Sequence, residues 1–255
     1  MLEVRGVCLS FGGVQALHDV SLDVGRHEVV GLVGPNGAGK TTLFNVLSGF
    51  LRADAGSARL RGVELCDCYP HERIALGLGR TFQNVRLFPR LAVFENLLVA
   101  LHSHGRSSAM ASLLRLPAAR TEERRLRDKV EQVIDLFGLD YYRHTPAAAL
   151  SYGTLRLVEL AVVVALGPSL LLLDEPSSGV AQKEVEALGP LLRRVVDDIG
   201  ATVLIIEHDI PLLLSLSDRL YALELGEVIA SGRPKDVLED PAVAESFLGR
   251  APERA

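Results

Sequence analysis

The chain of 255 residues has no tryptophan, two methionines, three cysteines and only 5% aromatic residues. The odd cysteine count leaves no complete disulfide framework, and Cys66-x-Cys68 has no second Cys or His pair at zinc-binding spacing. Cys8, Cys66 and Cys68 therefore read as buried small apolar residues of a protein in a reducing cytoplasm. Long hydrophobic runs are also missing. The most apolar stretch, residues 160–173, is interrupted by Gly167-Pro168-Ser169 and is too short to span a bilayer. The N-terminus lacks the basic, apolar and small-residue succession of a signal peptide. The expectation is a chain with no membrane anchor of its own that can still dock on a protein that has one. An excess of positive charge is lacking too: 27 Lys and Arg against 32 Asp and Glu give a net charge of -5. No general field for attracting nucleic acid follows, which leaves only a local patch open. There is no repeat, heptad or low-complexity tract.

What remains is 48% hydrophobic and 23% charged, with 23 Gly and 12 Pro, the balance of a globular protein of one large or two modest domains. A chain of this length buries roughly three-quarters of its unfolded surface, so its core needs no covalent staple. Residues 2–9, 15–24 and 58–63 read as strands around the apolar run 29–33. A glycine cluster and the helical spacing of Leu43, Val46 and Leu47 follow that run: strand, loop, helix. Residues 93–101 and 121–137 carry helical stripes, the second with Leu126, Val130, Val133, Ile134 and Phe137 and an i,i+4 pair, Glu123 to Arg127. Between them, 102–120 reads as a polar surface loop with room for a short helix. Strand character returns at 170–173 and 202–206, each after a helical segment, which predicts a mostly parallel sheet. Residues 219–225 and 227–230 flank Gly226 as a hairpin. The fold class is α/β, a mostly parallel core split by a helical insertion over roughly 84–165.

Gly34-Pro35-Asn36-Gly37-Ala38-Gly39-Lys40-Thr41 fits G-x-x-x-x-G-K-[ST] between an apolar strand and a helix. In that context the glycines turn backbone N–H groups toward phosphate oxygens, and the helix N-terminus adds partial positive charge. Lys40 is placed for the β/γ-phosphates and Thr41 for Mg2+. The alternative is a plain glycine-rich turn. An acidic site is expected on a neighbouring strand, and Leu170-Leu-Leu-Leu-Asp174-Glu175 supplies it. Asp174 suits the Mg2+ shell, and Glu175, one residue on, suits polarising a water for in-line attack on a γ-phosphate.

With these segments in place the chain resembles the ATP-binding subunits of ABC transporters over nearly its whole length. Leu150-Ser151-Tyr152-Gly153-Thr154 resembles that family's L-S-x-G-Q signature, Thr81-Phe82-Gln83 its Q-loop, and Ile206-Glu207-His208-Asp209 its switch-histidine segment. Within the family, the segment from Arg80 to Pro89, the long connection before Thr121, and the ending from Gly226 with Asp240-Pro241 and Phe247-Leu-Gly249 are similar to the subgroup serving branched-chain amino-acid importers. The resemblance implies a P-loop, RecA-like core (1–83 and 166–230) with an antiparallel β region, a helical subdomain over about 84–165, and a tail, 231–255.

The same resemblance implies a site for ATP and Mg2+. Phe11 would stack on adenine, residues 34–42 including Thr42 would hold the phosphates, and Thr41, Gln83 and Asp174 would surround the metal. Lys40, Gln83, Glu175 and His208 would serve hydrolysis. Ser151 and Gly153 would face the γ-phosphate held by a second ATP-binding subunit, identical or different. Each has a plainer reading: Ser151 as an ordinary helix N-cap, His208 as a packed or capping residue, Gln83 as a polar loop residue, Phe11 as core. Leu87 and Phe88, beside Gln83, fit either core packing or a surface for the cytoplasmic helices of a membrane permease. Implied partners are the permease subunits and, indirectly, an extracytoplasmic binding protein, with no nucleic acid; the implied location is the cytoplasmic face of the membrane. Four departures stand out. Thr154 replaces the signature Gln, Tyr152 replaces the commoner small residue, Ala181 replaces an acidic or amide residue at the end of the D-loop, and Val162 stands where an Arg is common. Rival expectations are a soluble ABC ATPase acting on nucleic acid or ribosomes, and a weakly hydrolysing partner subunit.

Overall fold

The computed structural model describes residues 1–82, 87–102 and 117–248. Strands β1 (Leu2–Phe11), β2 (Val14–Val24), β4 (Ala55–Leu60) and β5 (Val63–Glu64) form an antiparallel sheet in the order β2-β1-β4-β5. Leu2 faces Val24 across the first pair and Phe11 faces Val14. The single strand predicted over 58–63 is instead a hairpin. Arg61 and Gly62 take φ of 54° and 83°, a two-residue turn that folds Val63 back opposite Leu60.

The second sheet contains β3 (Val29–Val33), β6 (Leu78–Arg80), β7 (Leu170–Asp174), β8 (Thr202–Ile206), β9 (Arg219–Glu224) and β10 (Glu227–Gly232), in the order β10-β9-β3-β8-β7-β6. It is parallel from β9 to β6, and β10 closes one edge antiparallel. β3, β7 and β8 are buried at every position, which is why they read as unbroken apolar runs rather than as alternating ones. Their two faces fill two cores. Val30, Leu32, Leu170, Leu172, Leu204 and Ile206 pack with the antiparallel sheet and with Leu43, Phe44 and Leu47 of α1 (Lys40–Ser48). Val29, Val33, Leu171, Leu173, Val203 and Ile205 share the other core with the later helices.

Those helices include α2 (Pro70–Ala75), α3 (Val93–His102), α4 (Pro117–Phe137), α5 (Tyr152–Ala165), α6 (Gln182–Ile199), α7 (Ile210–Leu216), α8 (Pro234–Leu238) and α9 (Pro241–Leu248). Val93 and Leu97 of α3, Val130, Ile134 and Phe137 of α4, and Val158 and Ala161 of α5 lie in one core, so the predicted stripes do face inward. Glu123 and Arg127 pair at 2.9 Å. Helix reaches into both ends of the segment 102–120 predicted as a loop: α3 runs to His102, and α4 begins at Pro117, where a proline's missing N–H costs nothing. Residues 103–116 lie outside the described residues. The cysteines also differ from expectation. All three are half-buried free thiols, Cys8 within the interior strand β1 and Cys66 and Cys68 in the turn after β5, with Cys68 Sγ 3.2 Å from the Glu64 carbonyl and Cys8 Sγ accepting from the Asp19 amide at 3.3 Å. Among the described residues, no helix is long and apolar enough to cross a membrane.

Leu172 is wholly buried in the face shared with α1. Leu172→Ala is expected to cost about 3 kcal/mol of unfolding free energy through lost transfer energy and a residual cavity, measured by urea denaturation.

Candidate functional site

The site begins where β3 stops. Gly34 has φ 145°, and a Cβ there would lie 2.1 Å from the Leu223 carbonyl oxygen; Gly39, at φ 100°, precedes the first residue of α1. Only glycine fits both the conformation and the close approach. The turn between β9 and β10 pins the loop, because the Gly226 amide donates to the Ala38 carbonyl at 3.0 Å and the Gly226 carbonyl accepts from His18 at 2.8 Å. No side chain caps α1, and its first turn carries no acidic residue. Its leading N–H groups are therefore left for an anion from outside. Thr41 is exposed and Thr42 half-exposed in that turn.

Lys40 is buried, and its Nζ donates to the carbonyls of Gly34 at 2.6 Å and Pro35 at 2.9 Å. Burial pushes its pKa down, against the opposing pull of the Glu175 and Asp174 charges. Asp174 ends β7, which is not adjacent to β3 as the sequence suggested. β8 comes between the two, and the long Lys40 side chain still lies within electrostatic range of both carboxylates.

Asp174 is also buried, and burial raises its pKa while Arg80 opposes the shift. Arg80 is a residue to which sequence reasoning gave no role. From the end of β6, its Nη2 donates to Asp174 Oδ2 at 3.1 Å, while Nη1 donates to Asn45 Oδ1 at 2.8 Å and Ser48 Oγ at 2.6 Å on α1. The rings of Phe44, Phe50 and Phe82 surround its guanidinium at 5.4 to 5.8 Å. One planar cation thus fixes α1, β6 and β7 relative to one another. The signal in the sequence was an acid ending an all-apolar strand, which needs a cationic neighbour.

Glu175 turns away from the strand with φ 49°, a left-handed conformation costly for a residue with a Cβ, and its amide donates to the Ile206 carbonyl at 2.9 Å. This turn directs its side chain to His208, whose Nε2 donates to Glu175 Oε1 at 3.1 Å. Glu207, quoted in the sequence only as a neighbour of His208, is buried and works as an anchor. Its carboxylate accepts from the Ser177 amide at 2.7 Å, the Ser177 hydroxyl at 2.8 Å and the His208 amide at 3.0 Å. The segments carrying Glu175 and His208 are held together through it.

The remaining sequence candidates sit apart. Ser151 is the N-cap of α5, its Oγ accepting from the Thr154 amide at 3.2 Å and lying 2.8 Å from Thr154 Oγ1. Gly153 packs against the Glu184 carboxylate of α6, which would have to shift to admit a Cβ. Phe11, at the end of β1, is 49% exposed, so it is not core. Phe88 is exposed, whereas Leu87 is half-buried against the helical core. Gln83 and Arg86 lie outside the described residues. The Phe82 carbonyl just before Gln83 accepts from Arg156 Nη1 of α5 at 2.6 Å. Ala181, which cannot cap, starts α6 without a side-chain cap.

No group of three or more His, Cys, Asp or Glu among the described residues could cage a metal. The donors present are one hydroxyl, Thr41, and one carboxylate, Asp174, whose Oδ2 is engaged by Arg80. Such a hard, incomplete oxygen set fits a Mg2+ that arrives with phosphate ligands rather than a resident ion. Chemically, the arrangement can hold a polyphosphate on loop amides and a lysine, with a carboxylate–imidazole pair beside it.

A buried lysine on a glycine loop between a parallel strand and a helix, with facing acids at the ends of neighbouring strands, defines a P-loop nucleotide-binding protein. Residues 17–178 match the family described as "ABC transporter", and the chain belongs to that family. It is 39% identical over 251 residues to the high-affinity branched-chain amino acid transport ATP-binding protein BraF of Pseudomonas aeruginosa, covering 98% of each chain. It is 38% identical over 252 residues to LivG of Escherichia coli, described in the same terms, again covering 98% of each. Among solved structures it is similar to the ADP conformation of MJ1267, an ATP-binding cassette of an ABC transporter, with 33% identity, a TM-score of 0.83, and coverage of 98% of this chain and 99% of that one.

Replacing Arg80 by Met leaves the Asp174 carboxylate buried without its cation. The expected loss is about 3 to 5 kcal/mol in urea denaturation, partly recovered in the double variant Arg80→Met/Asp174→Asn.

Proposed function

We propose that the chain is the ATP-hydrolysing subunit of an importer of the branched-chain amino-acid type, peripheral on the cytoplasmic face of the membrane and docked on permease subunits. The observation that carries this reading is the convergence of buried Lys40, the Asp174–Arg80 pair and the Glu175–His208 contact at one end of the parallel sheet. The near full-length likeness to amino-acid transport ATP-binding proteins supports the transport role.

In the proposed cycle Phe11 stacks on adenine. The amides of Gly34, Pro35, Asn36, Gly37, Ala38, Gly39, Lys40, Thr41 and Thr42 and the Lys40 ammonium take the phosphates, and the Lys40 bonds to Gly34 and Pro35 exchange for phosphate oxygens. Thr41, Asp174 and Gln83 hold Mg2+, whose chemistry is to neutralise phosphate charge. The carboxylate of Glu175 accepts a proton from a water whose oxygen attacks the γ-phosphorus. The bond to the β–γ bridging oxygen breaks, and ADP carries away the electron pair. His208 keeps Glu175 oriented and donates toward the γ-phosphate.

A single chain supplies only half of this enclosure. Ser151 and Gly153, at an α5 N-terminus directed to an anion, close over the γ-phosphate of a second subunit, so ATP joins the two copies and its hydrolysis releases them. Thr154 spends its hydroxyl on Ser151, which makes it a support for that serine rather than a reach toward the partner's sugar. The helices around 84–165 form the arm that meets the permease, with Leu87 and Phe88 near its base and an extracytoplasmic binding protein upstream.

The test is Glu175→Gln. Turnover of the purified chain is expected to fall at least about a hundredfold while nucleotide affinity is kept, and the variant is expected to elute as a dimer at saturating MgATP. Equal turnover of the two proteins, or a variant that stays monomeric even with its permease supplied, contradicts the reading.

A further inference from the structure

The end of the parallel sheet opposite the phosphate loop, where β3, β7 and β8 begin, also carries a concavity of about 160 Å3 whose lining includes Arg26, His27, Arg61, Ser169, Gly200 and Thr202. These residues come from separate connections: the turn before β3, the β4–β5 turn, the residue before β7, the C-cap of α6 and the first residue of β8. Every charged side chain in the lining is basic and none is acidic. The sign is local, since the chain as a whole carries -5. Among the described residues, the guanidinium groups of Arg26 and Arg61 have no hydrogen-bond or ion-pair partner. Glu28, the nearest acid along the chain, is committed to Arg219 at 3.0 Å and to the Gly25 amide.

The cavity is built rather than incidental. His27 is held at φ 57°, its amide donating to Thr202 Oγ1 at 3.0 Å, and its ring lies over the bare Cα of Gly200, where a Cβ would come within 3.0 Å of Cε1. Arg61 is fixed at φ 54° by the β4–β5 turn, with its amide donating to the Met1 carbonyl at 2.8 Å. Because Thr202 Oγ1 accepts from His27, its hydroxyl proton stays free to donate. The two unpaired guanidiniums, both exposed to solvent, bring like charge to one concavity, an imidazole and a hydroxyl add hydrogen-bonding groups, and a guanidinium fork matches the oxygens of a phosphate. The concavity opens to solvent, and its volume of about 160 Å3 accommodates a phosphate or a small phosphomonoester.

We infer that this cavity is a second anion site, which takes inorganic phosphate or a small phosphomonoester between Arg26, His27 and Arg61. A bound phosphate links the antiparallel sheet, through Arg61, to the start of the parallel one, at the end remote from ATP chemistry. The competing account is that these cations only offset the carbonyl end of α6, whose C-cap is Gly200.

Residue-resolved NMR of the nucleotide-free chain during a titration with inorganic phosphate separates the two. Saturable shifts are expected at the His27, Gly200 and Thr202 amides, with an isotherm distinct from that of Gly37 and Gly39 in the phosphate loop. In Arg26→Gln/Arg61→Gln the affinity at the first group falls about a hundredfold, roughly tenfold per charge-assisted contact, while the phosphate-loop isotherm is unchanged and certifies the fold. The single variant Arg61→Gln gives the intermediate value. Absence of saturable shifts at the cavity, or equal affinity in the double variant, overturns the inference; a lowered melting temperature with no phosphate binding assigns the cations to α6.

Discussion

Lys40 carries its ammonium into a site where its hydrogen bonds go to two loop carbonyls, while Asp174 and Glu175 act on it only through space. Desolvation works against the charge, and the nearby carboxylates sustain it. The balance is electrostatically incomplete: a buried cation and an uncapped helix N-terminus lack the same anionic partner. A polyphosphate satisfies them together, which is why the strand, the glycine positions and the helix must keep their relative geometry before it arrives. The organisation of the sheet can be read as a means of holding that arrangement open.

Two buried side chains do most of the holding. Arg80 joins β6, β7 and α1, so the acid at the end of β7 cannot move independently of the helix that bears Lys40. Glu207 joins the segment after β7 to the segment after β8, and the Glu175–His208 contact is made on that frame. Neither residue needs to touch a nucleotide to matter. Each meets the cost of its own burial with two or more strong hydrogen bonds, which is the condition under which a buried charge specifies geometry.

How much of this was legible in the sequence follows from the range of the interactions. The phosphate loop, β3, β7, β8 and the helical stripes were readable because periodicity and glycine placement are local signals, and Lys40, Asp174 and Glu175 came with them, whereas His208 was singled out only through the resemblance to the family. The two-residue turn at Arg61-Gly62 was missed because the flanking residues keep strand character and only φ reveals the reversal. The insertion of β8 between β3 and β7 was missed because strand order depends on crossovers, not on the strands themselves. Arg80 and Glu207 were in view but without roles, since the segments they tie together, at Ser48 and Asp174 for Arg80 and at Ser177 for Glu207, lie 30 or more positions away along the chain. The reading of the cysteines as core fillers fails for a related reason: a small side chain on the half-exposed face of a strand, as at Cys8, or in a turn, as at Cys66 and Cys68, looks the same in sequence as one inside.

The central claim is that the Lys40 ammonium is kept charged and unpaired for phosphate. Calorimetric titration of the wild-type chain and Lys40→Ala with a nonhydrolysable ATP analogue and Mg2+, alongside urea denaturation of both without nucleotide, tests it most directly. The account predicts affinity weakened about a hundredfold or more by the substitution, with the stability of the empty chain undiminished because a desolvated charge has been removed. Unchanged affinity, or an empty chain destabilised as by loss of a buried ion pair, would contradict it.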